Sequence, residues 1–188
     1  MAFLTEDQLS RMGFKNLGRN VKISDKASFY KPESISVGDN SRIDDYCVLS
    51  AGNEIIIGRN VHISVFASII GRGKVKVGDF SALSGRVSIY SSNDDYSGYY
   101  MTNPTVDSKY TNVENKDVNI GKHVIVGSGS IILPGITLED GVSVGSLSLV
   151  KENCKGFSIY GGIPARFIKK RSKKLLEKEQ KLLEIGSQ

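Results

Sequence analysis

At 188 residues, 39% of them hydrophobic and 24% charged, the chain has the size and composition of one globular domain with its own core. No apolar run approaches the roughly 18 residues that span a bilayer, and the N-terminus MAFLTEDQ lacks a basic region leading into an apolar one, so a cytoplasmic protein without a membrane partner is expected. The net charge of +5 lies between Arg166 and Glu184, eight Lys/Arg against three Glu; with no base-stacking aromatics interleaved, no nucleic-acid partner is expected.

The N-terminal segment, 1–16, carries a short helix. Thr5 and Gln8 have capping-box spacing, Leu4 and Leu9 form a hydrophobic staple, and Gly13 is placed to end the helix. From Leu17 a repeat takes over: aliphatic or aromatic residues recur every six positions in triplets, Leu17, Ile23, Phe29, then Val37, Ile43, Leu49, then Ile57, Ile63, Ile69, then Val77, Leu83, Ile89. Corresponding positions return every twenty residues, and pairs such as Ile35-Ser36, Ile55-Ile56 and Val75-Lys76 read as bulges at one corner. After a break at 91–117 the step is six throughout, at Ile120, Val126, Ile132, Leu138, Val144 and Val150. Small or β-branched residues stand four positions on, among them Ser41, Cys47, Val61, Ala67, Ser81, Ser130 and Ser148.

Units this short bury their apolar residues only by stacking coil on coil. Three make one triangular turn, so six coils are expected over 17–163. Cys47 falls on an inward position, and with Cys154 it makes two cysteines, too few for a disulfide framework or a thiolate metal site. Beyond Pro164, residues 164–188 read as a helix and tail, the helix over Ala165 to Glu184 with an apolar stripe through Ile168, Leu175 and Leu182.

The strict period, the run IGKHVIVGSGSIILPGITLEDGVSVGSLSLV and the closing YGGIPARFIKKR resemble the hexapeptide-repeat acyltransferases over residues 17 to 171. The resemblance implies an all-β fold, a left-handed parallel β-helix with a long inserted loop and a C-terminal α-helix. It also implies a homotrimer with acyl-CoA bound between neighbouring prisms, so that two chains build each active site. Family O-acyltransferases carry a histidine just after the coil that precedes the inserted loop. Here that run is Ile89-Tyr90-Ser91-Ser92-Asn93-Asp94-Asp95-Tyr96, and Asp94 stands in its place.

An imidazole titrating near about 6.5 suits removal of a hydroxyl proton, whereas a carboxylate near about 3.9 is a weak base. A neutral amine already attacks a thioester, so the protein needs mainly to hold and orient the ammonium or amine and let a proton leave, and a carboxylate can anchor it electrostatically. The loop thus looks like that of the N-acyltransferases acting on dTDP-4-amino-4,6-dideoxyglucose, the anthrose-pathway type. The expected partners are a nucleotide-linked amino sugar and the co-substrate acyl-CoA.

Asp94 is the leading catalytic candidate, followed by Ser84, whose hydroxyl is placed to bind substrate, and Glu114; each also reads as an ordinary turn or loop residue. Asn93, Tyr96, Tyr99, Tyr100, Asp117 and His123 are the candidate acceptor-binding residues, the tyrosines, with Tyr110, as rings for a base or sugar face. His123 is also the fallback base, and His62, like it, reads as an outward residue. For CoA, the resemblance points to Gly127, Ser128, Gly145 and Ser146 as close-approach positions and to Arg166, Lys169, Lys170 and Arg171 as phosphate partners. No metal is expected, since two histidines fall short of the three imidazoles used by zinc enzymes of this fold. Two alternatives stay open: O-acetylation of a sugar hydroxyl, and a non-catalytic β-helical scaffold.

Overall fold

A hexapeptide has one inward apolar side chain and no core of its own, so burial requires the chain to wind and stack. The structure, a computed structural model, describes residues 2–185. Its body is a three-sided parallel β-helix whose faces carry six, eight and six strands. The register follows the repeat: Val37 pairs with Ile57, Ile43 with Ile63 and Leu49 with Ile69, a step of twenty residues. Beyond the break Ile120 pairs with Leu138, Val126 with Val144 and Ile132 with Val150, a step of eighteen. At about 4.8 Å per coil, six coils give a prism about 29 Å tall.

The repeat residues form one continuous core; only Leu17 and Phe29 of the first coil are half-buried. The small residues four positions on are buried beside them, and the serines among them are satisfied by the corners. The Ser41 hydroxyl donates to the Gly58 carbonyl at 2.7 Å and accepts the Val61 N–H at 3.0 Å, and Ser81 repeats this with Gly121 and Val124. Both cysteines are also buried, and desolvation pushes each thiol up to about 11. At pH 7.5 the native protein is therefore expected to leave both thiols unmodified by iodoacetamide, reacting only on denaturation, with mass spectrometry as the measurement.

Three expectations are corrected. The pairs at 35–36, 55–56 and 75–76 do not bulge. They lengthen the strands Ile35–Val37, Ile55–Ile57 and Val75–Val77, in which alternation turns the first residue inward, so that Ile35, Ile55, Val75 and Val118 form a further buried column. The β-helix also exceeds the six expected coils. Cys154 bridges to Leu138, and Ser158–Gly161 pairs in parallel with the coil below, starting a seventh turn.

The C-terminal helix does not begin at Ala165. Arg166–Lys170 is a strand that turns back antiparallel on Ser158–Gly161, and the helix (α2) spans Leu175–Ile185. Phe167 packs edge-on to Tyr160 at 5.9 Å, a cross-strand contact that outweighs the helical stripe of Ile168. Residues 186–188 of the expected tail lie outside the described residues, among which no helix is long and apolar enough to cross a membrane.

At the other end helix α1 (Glu6–Arg11) has the expected capping box, with Thr5 and Gln8 exchanging both bonds, and Leu9 is buried. Two corner columns adopt left-handed backbone, Asn20, Asn40, Asn60, Phe80 and His123 along one, Tyr46, Phe66, Arg86 and Leu147 along the other. Asn tolerates that conformation; at the bulky residues its cost is offset by stacking, as between Tyr46 and Phe66 at 5.0 Å.

Candidate active site

The insertion at 91–117 leaves the third face after Ser88–Tyr90 and returns to the first at Val118–Ile120. Its base is a short antiparallel stem in which Ser92 pairs with Asn115 and Asn93 with Glu114. The corner Gly71-Arg72-Gly73 lies against that stem. The Arg72 N–H donates to Ser92 Oγ at 2.6 Å, that hydroxyl donates to Asn115 Oδ1 at 2.6 Å, and the buried Ser91 hydroxyl donates to the Gly73 carbonyl at 3.0 Å. A Cβ at Gly71 would meet Ser91 Oγ at 2.4 Å and one at Gly73 the Lys116 carbonyl oxygen at 2.4 Å, so neither position has room for a side chain.

Between stem, corner and loop lies a cleft of about 680 Å³ lined by Ile70, Arg72, Ser92, Asp94, Asn103 and Asn112 among others, a size suited to a small ligand. A larger groove of about 810 Å³ along the first face, floored by Ile56, Lys76, Asn119 and Thr137, holds none of the candidate residues.

The adjacent aspartates have different surroundings. Asp95 accepts from the Ser97 hydroxyl at 2.8 and 2.9 Å and from the N–H groups of Gly98 and Tyr100 at 3.0 and 3.4 Å. These bonds, the Ser97 hydroxyl first, hold its carboxyl below the usual range and shape the turn. Asp94 accepts no hydrogen bond and has no ion pair among the described residues, and it borders the cleft half-buried. Its charge is available to a ligand. Ser84 is also unpartnered: unlike the buried serines of the repeat, its half-exposed hydroxyl has no partner among the described residues, but it does not line this cleft.

The other stem candidates are engaged in the fold. Glu114 pairs with Lys116 at 2.5 Å, Asp117 accepts the Lys74 N–H at 2.8 Å, and Asn93 sits on the stem opposite Glu114. The four tyrosines do not come together: Tyr96 and Tyr99 are 87% and 89% exposed, and none of Tyr96, Tyr99, Tyr100 and Tyr110 lines the cleft. In their place the lining uses Asn103, Pro104, Val106, Thr111 and Asn112, of which the Asn, Pro and Thr carry no specific signal in sequence because such residues mark turns generally.

His123 is not outward and open. Its ring stacks on Phe80 at 5.2 Å and its Nε2 meets Glu179 of α2 at 2.7 Å, so it docks the helix. His62 is held by the buried Asp44 at 2.8 Å. Neither histidine lines the cleft.

Toward the C-terminus, Gly127 is required by the fold, because a Cβ there would meet the Ser146 amide nitrogen at 2.4 Å, whereas at Gly145 the nearest atom would be 3.6 Å away. Ser128 and Ser146 are exposed beside them. The basic candidates divide. Arg171 donates to the carbonyls of His123, Gly141 and Val142 at 2.7, 3.0 and 3.3 Å and is committed to holding the strap into α2, its pKa lowered by burial. Lys170 donates to Ser158 Oγ at 3.3 Å, Arg166 has only a solvent-exposed pair with Glu152 at 2.9 Å, and Lys169 has no side-chain partner among the described residues.

No protein-family model matches the chain. It is 58% identical over 180 residues to the dTDP-4-amino-4,6-dideoxy-D-glucose acyltransferase of Escherichia coli, covering 95% of this chain and 94% of that one. It superposes on the S84A variant of AntD, an N-acyltransferase from Bacillus cereus in complex with dTDP-4-amino-4,6-dideoxyglucose and coenzyme A, with TM-score 0.95 and 40% identity over 97% of this chain and 98% of that one. AntD in complex with dTDP and 3-hydroxybutyryl-CoA superposes with TM-score 0.96 and 40% identity over 99% and 98%.

Proposed function

The chain belongs to the hexapeptide-repeat acyltransferases that act on dTDP-4-amino-4,6-dideoxyglucose, and on that premise we propose how its residues divide the work. It is an acyl-CoA-dependent N-acyltransferase. The sugar amine forms a C–N bond to the thioester carbonyl carbon, the C–S bond breaks, and the departing thiolate, with a conjugate acid near about 8.5, takes up the proton that the amine gives up. Attack is direct, since both cysteines are buried and the Ser84 hydroxyl has no histidine hydrogen-bonded to it among the described residues to make it a nucleophile.

Asp94 holds and orients the amine, and Ser84 supplies a hydrogen bond to the acceptor. The observation that carries this assignment is the contrast between the two aspartates: Asp95 is saturated by the turn, while Asp94 keeps an unpartnered carboxylate on the cleft. Gly145 and Ser146, with Gly127 and Ser128 below them, offer backbone to the pantetheine arm, and Lys169 and Arg166 offer charge to the CoA phosphates. The working unit is a homotrimer with CoA between prisms, and the chemistry calls for no metal.

Hydroxyl acylation is disfavoured because neither histidine borders the cleft. The test is turnover on paired acceptors, dTDP-4-amino-4,6-dideoxyglucose and dTDP-6-deoxyglucose with a hydroxyl at carbon 4. Thiol release from acyl-CoA is expected with the amine and at most a trace with the hydroxyl; preference for the hydroxyl would sink the assignment.

A further inference from the structure

Two of the side chains lining the Asp94 cleft are charged, one of each sign. Asp94 is the anion and Arg72 the cation; the rest of the lining is uncharged. The two do not form an ion pair with each other, and the Arg72 guanidinium has neither carboxylate nor carbonyl partner among the described residues. That is unusual for this neighbourhood. Lys74 is paired with Glu54 at 2.6 Å, Lys109 with Asp107 at 3.6 Å and Lys116 with Glu114 at 2.5 Å. Arg72 alone among the described cations of the insertion and its adjoining corner is left without a carboxylate.

Its placement is fixed from the backbone upward. Gly71 and Gly73 must be glycine for the corner to reach the insertion, as a Cβ on either would lie 2.4 Å from the stem. Arg72, between them, carries the only side chain of the triplet, and its N–H is bonded to Ser92 Oγ, which in turn bonds Asn115 on the opposite stem strand. The backbone from which the Arg72 side chain springs is therefore anchored to both halves of the stem that carries Asp94 two residues beyond Ser92. The side chain thus starts from a fixed point beside the stem, and it lines the same cleft as that carboxylate.

An unneutralised charge of each sign in one otherwise neutral cleft calls for a ligand with the opposite arrangement. The acceptor has it: an amine at carbon 4 and, across the pyranose ring at carbon 1, a diphosphate. We propose that Arg72 binds the diphosphate of the nucleotide sugar through its planar fork while Asp94 holds the amine, so that the pair sets the direction in which the sugar lies in the cleft. This rests on the functional reading above and extends it to a residue that confers specificity for nucleotide-linked over free amino sugars.

The experiment is calorimetry on the full-length wild type and the Arg72→Gln and Arg72→Lys variants with three probes, dTDP, thymidine and coenzyme A. Loss of charge-assisted bonds to the diphosphate is expected to weaken dTDP about 10- to 100-fold in Arg72→Gln. Arg72→Lys should recover part of that loss, and thymidine and coenzyme A should bind each variant as they bind the wild type. In turnover, KM for the nucleotide sugar should rise far more than kcat falls. Wild-type dTDP affinity in Arg72→Gln overturns the inference while leaving the functional reading in place. Equal loss of dTDP and thymidine also overturns it, because Arg72 would then be supporting the insertion and not the diphosphate. A wild-type chain that bound no dTDP would overturn the functional reading itself, and this inference with it.

Discussion

Replacing Asp94 with Asn is expected to lower kcat/KM for the amino sugar about 100-fold or more, with little change in Tm. The substitution keeps size and shape and removes only the charge. Because the Asp94 carboxylate takes part in no hydrogen bond or ion pair among the described residues, the folded chain loses nothing by it. What is lost is the interaction with the acceptor: a charge-assisted bond to an ammonium is worth about 1.5–3 kcal/mol, or roughly 10- to 100-fold, and misorientation of the amine adds to that. Asp95→Asn provides the contrast. Its carboxylate holds Ser97, Gly98 and Tyr100, so that variant acts through the shape of the loop. Thiol release gives the rates and a thermal melt the stability, and the buried cysteines leave the thiol readout clean. Near-wild-type turnover by Asp94→Asn would remove it from the mechanism.

The coils were legible in the sequence because each inward position is an independent vote for the same period. Val37, Ile57 and Val77 lie one above another whether or not any one coil is regular. Asp94 came from the resemblance, as the residue standing where related O-acyltransferases carry a histidine just after a coil, and in the structure it borders the cleft. Where the period stops, local composition took over and was less reliable. Arg166–Lys170 lies in a run whose spacing also fits a helix, and only the partner strand Ser158–Gly161, reached through a tight reversal, decides for extended backbone. Four tyrosines suggested a stacking platform; in this chain none of them lines the cleft, and Tyr96 and Tyr99 are the most exposed of the four. Arg72 was invisible for the opposite reason. It lies in the regular part of the repeat, twenty residues and more from Asp94 in sequence, and only the approach of the Gly71-Arg72-Gly73 corner to the stem brings it to the cleft.

That approach makes Gly73→Ala the most informative change on the prism side of the site. Its Cβ would lie 2.4 Å from the Lys116 carbonyl oxygen, 2.7 Å from the carbonyl carbon and 3.1 Å from Ser91 Cβ, and two of these three are backbone, which cannot swing aside as a long side chain does. Relief requires the stem to move off the corner. Such movement stretches the bonds from Ser91 Oγ to the Gly73 carbonyl, from the Arg72 N–H to Ser92 Oγ and from the Lys74 N–H to Asp117. The core residues Ile69, Ile89 and Val75 lie inside the coils and keep their packing, so the cost to stability is that of local overpacking, about 1–3 kcal/mol. The cost to activity is expected to be larger. A shift on the order of 1 Å between Arg72 and Asp94 misplaces the acceptor along its own axis, which costs about 100-fold in kcat/KM. The expected result is a folded prism with a modestly lower Tm, faster limited proteolysis within 91–117 and strongly reduced turnover; unchanged proteolysis with wild-type rates would mean that the corner does not hold the cleft in place.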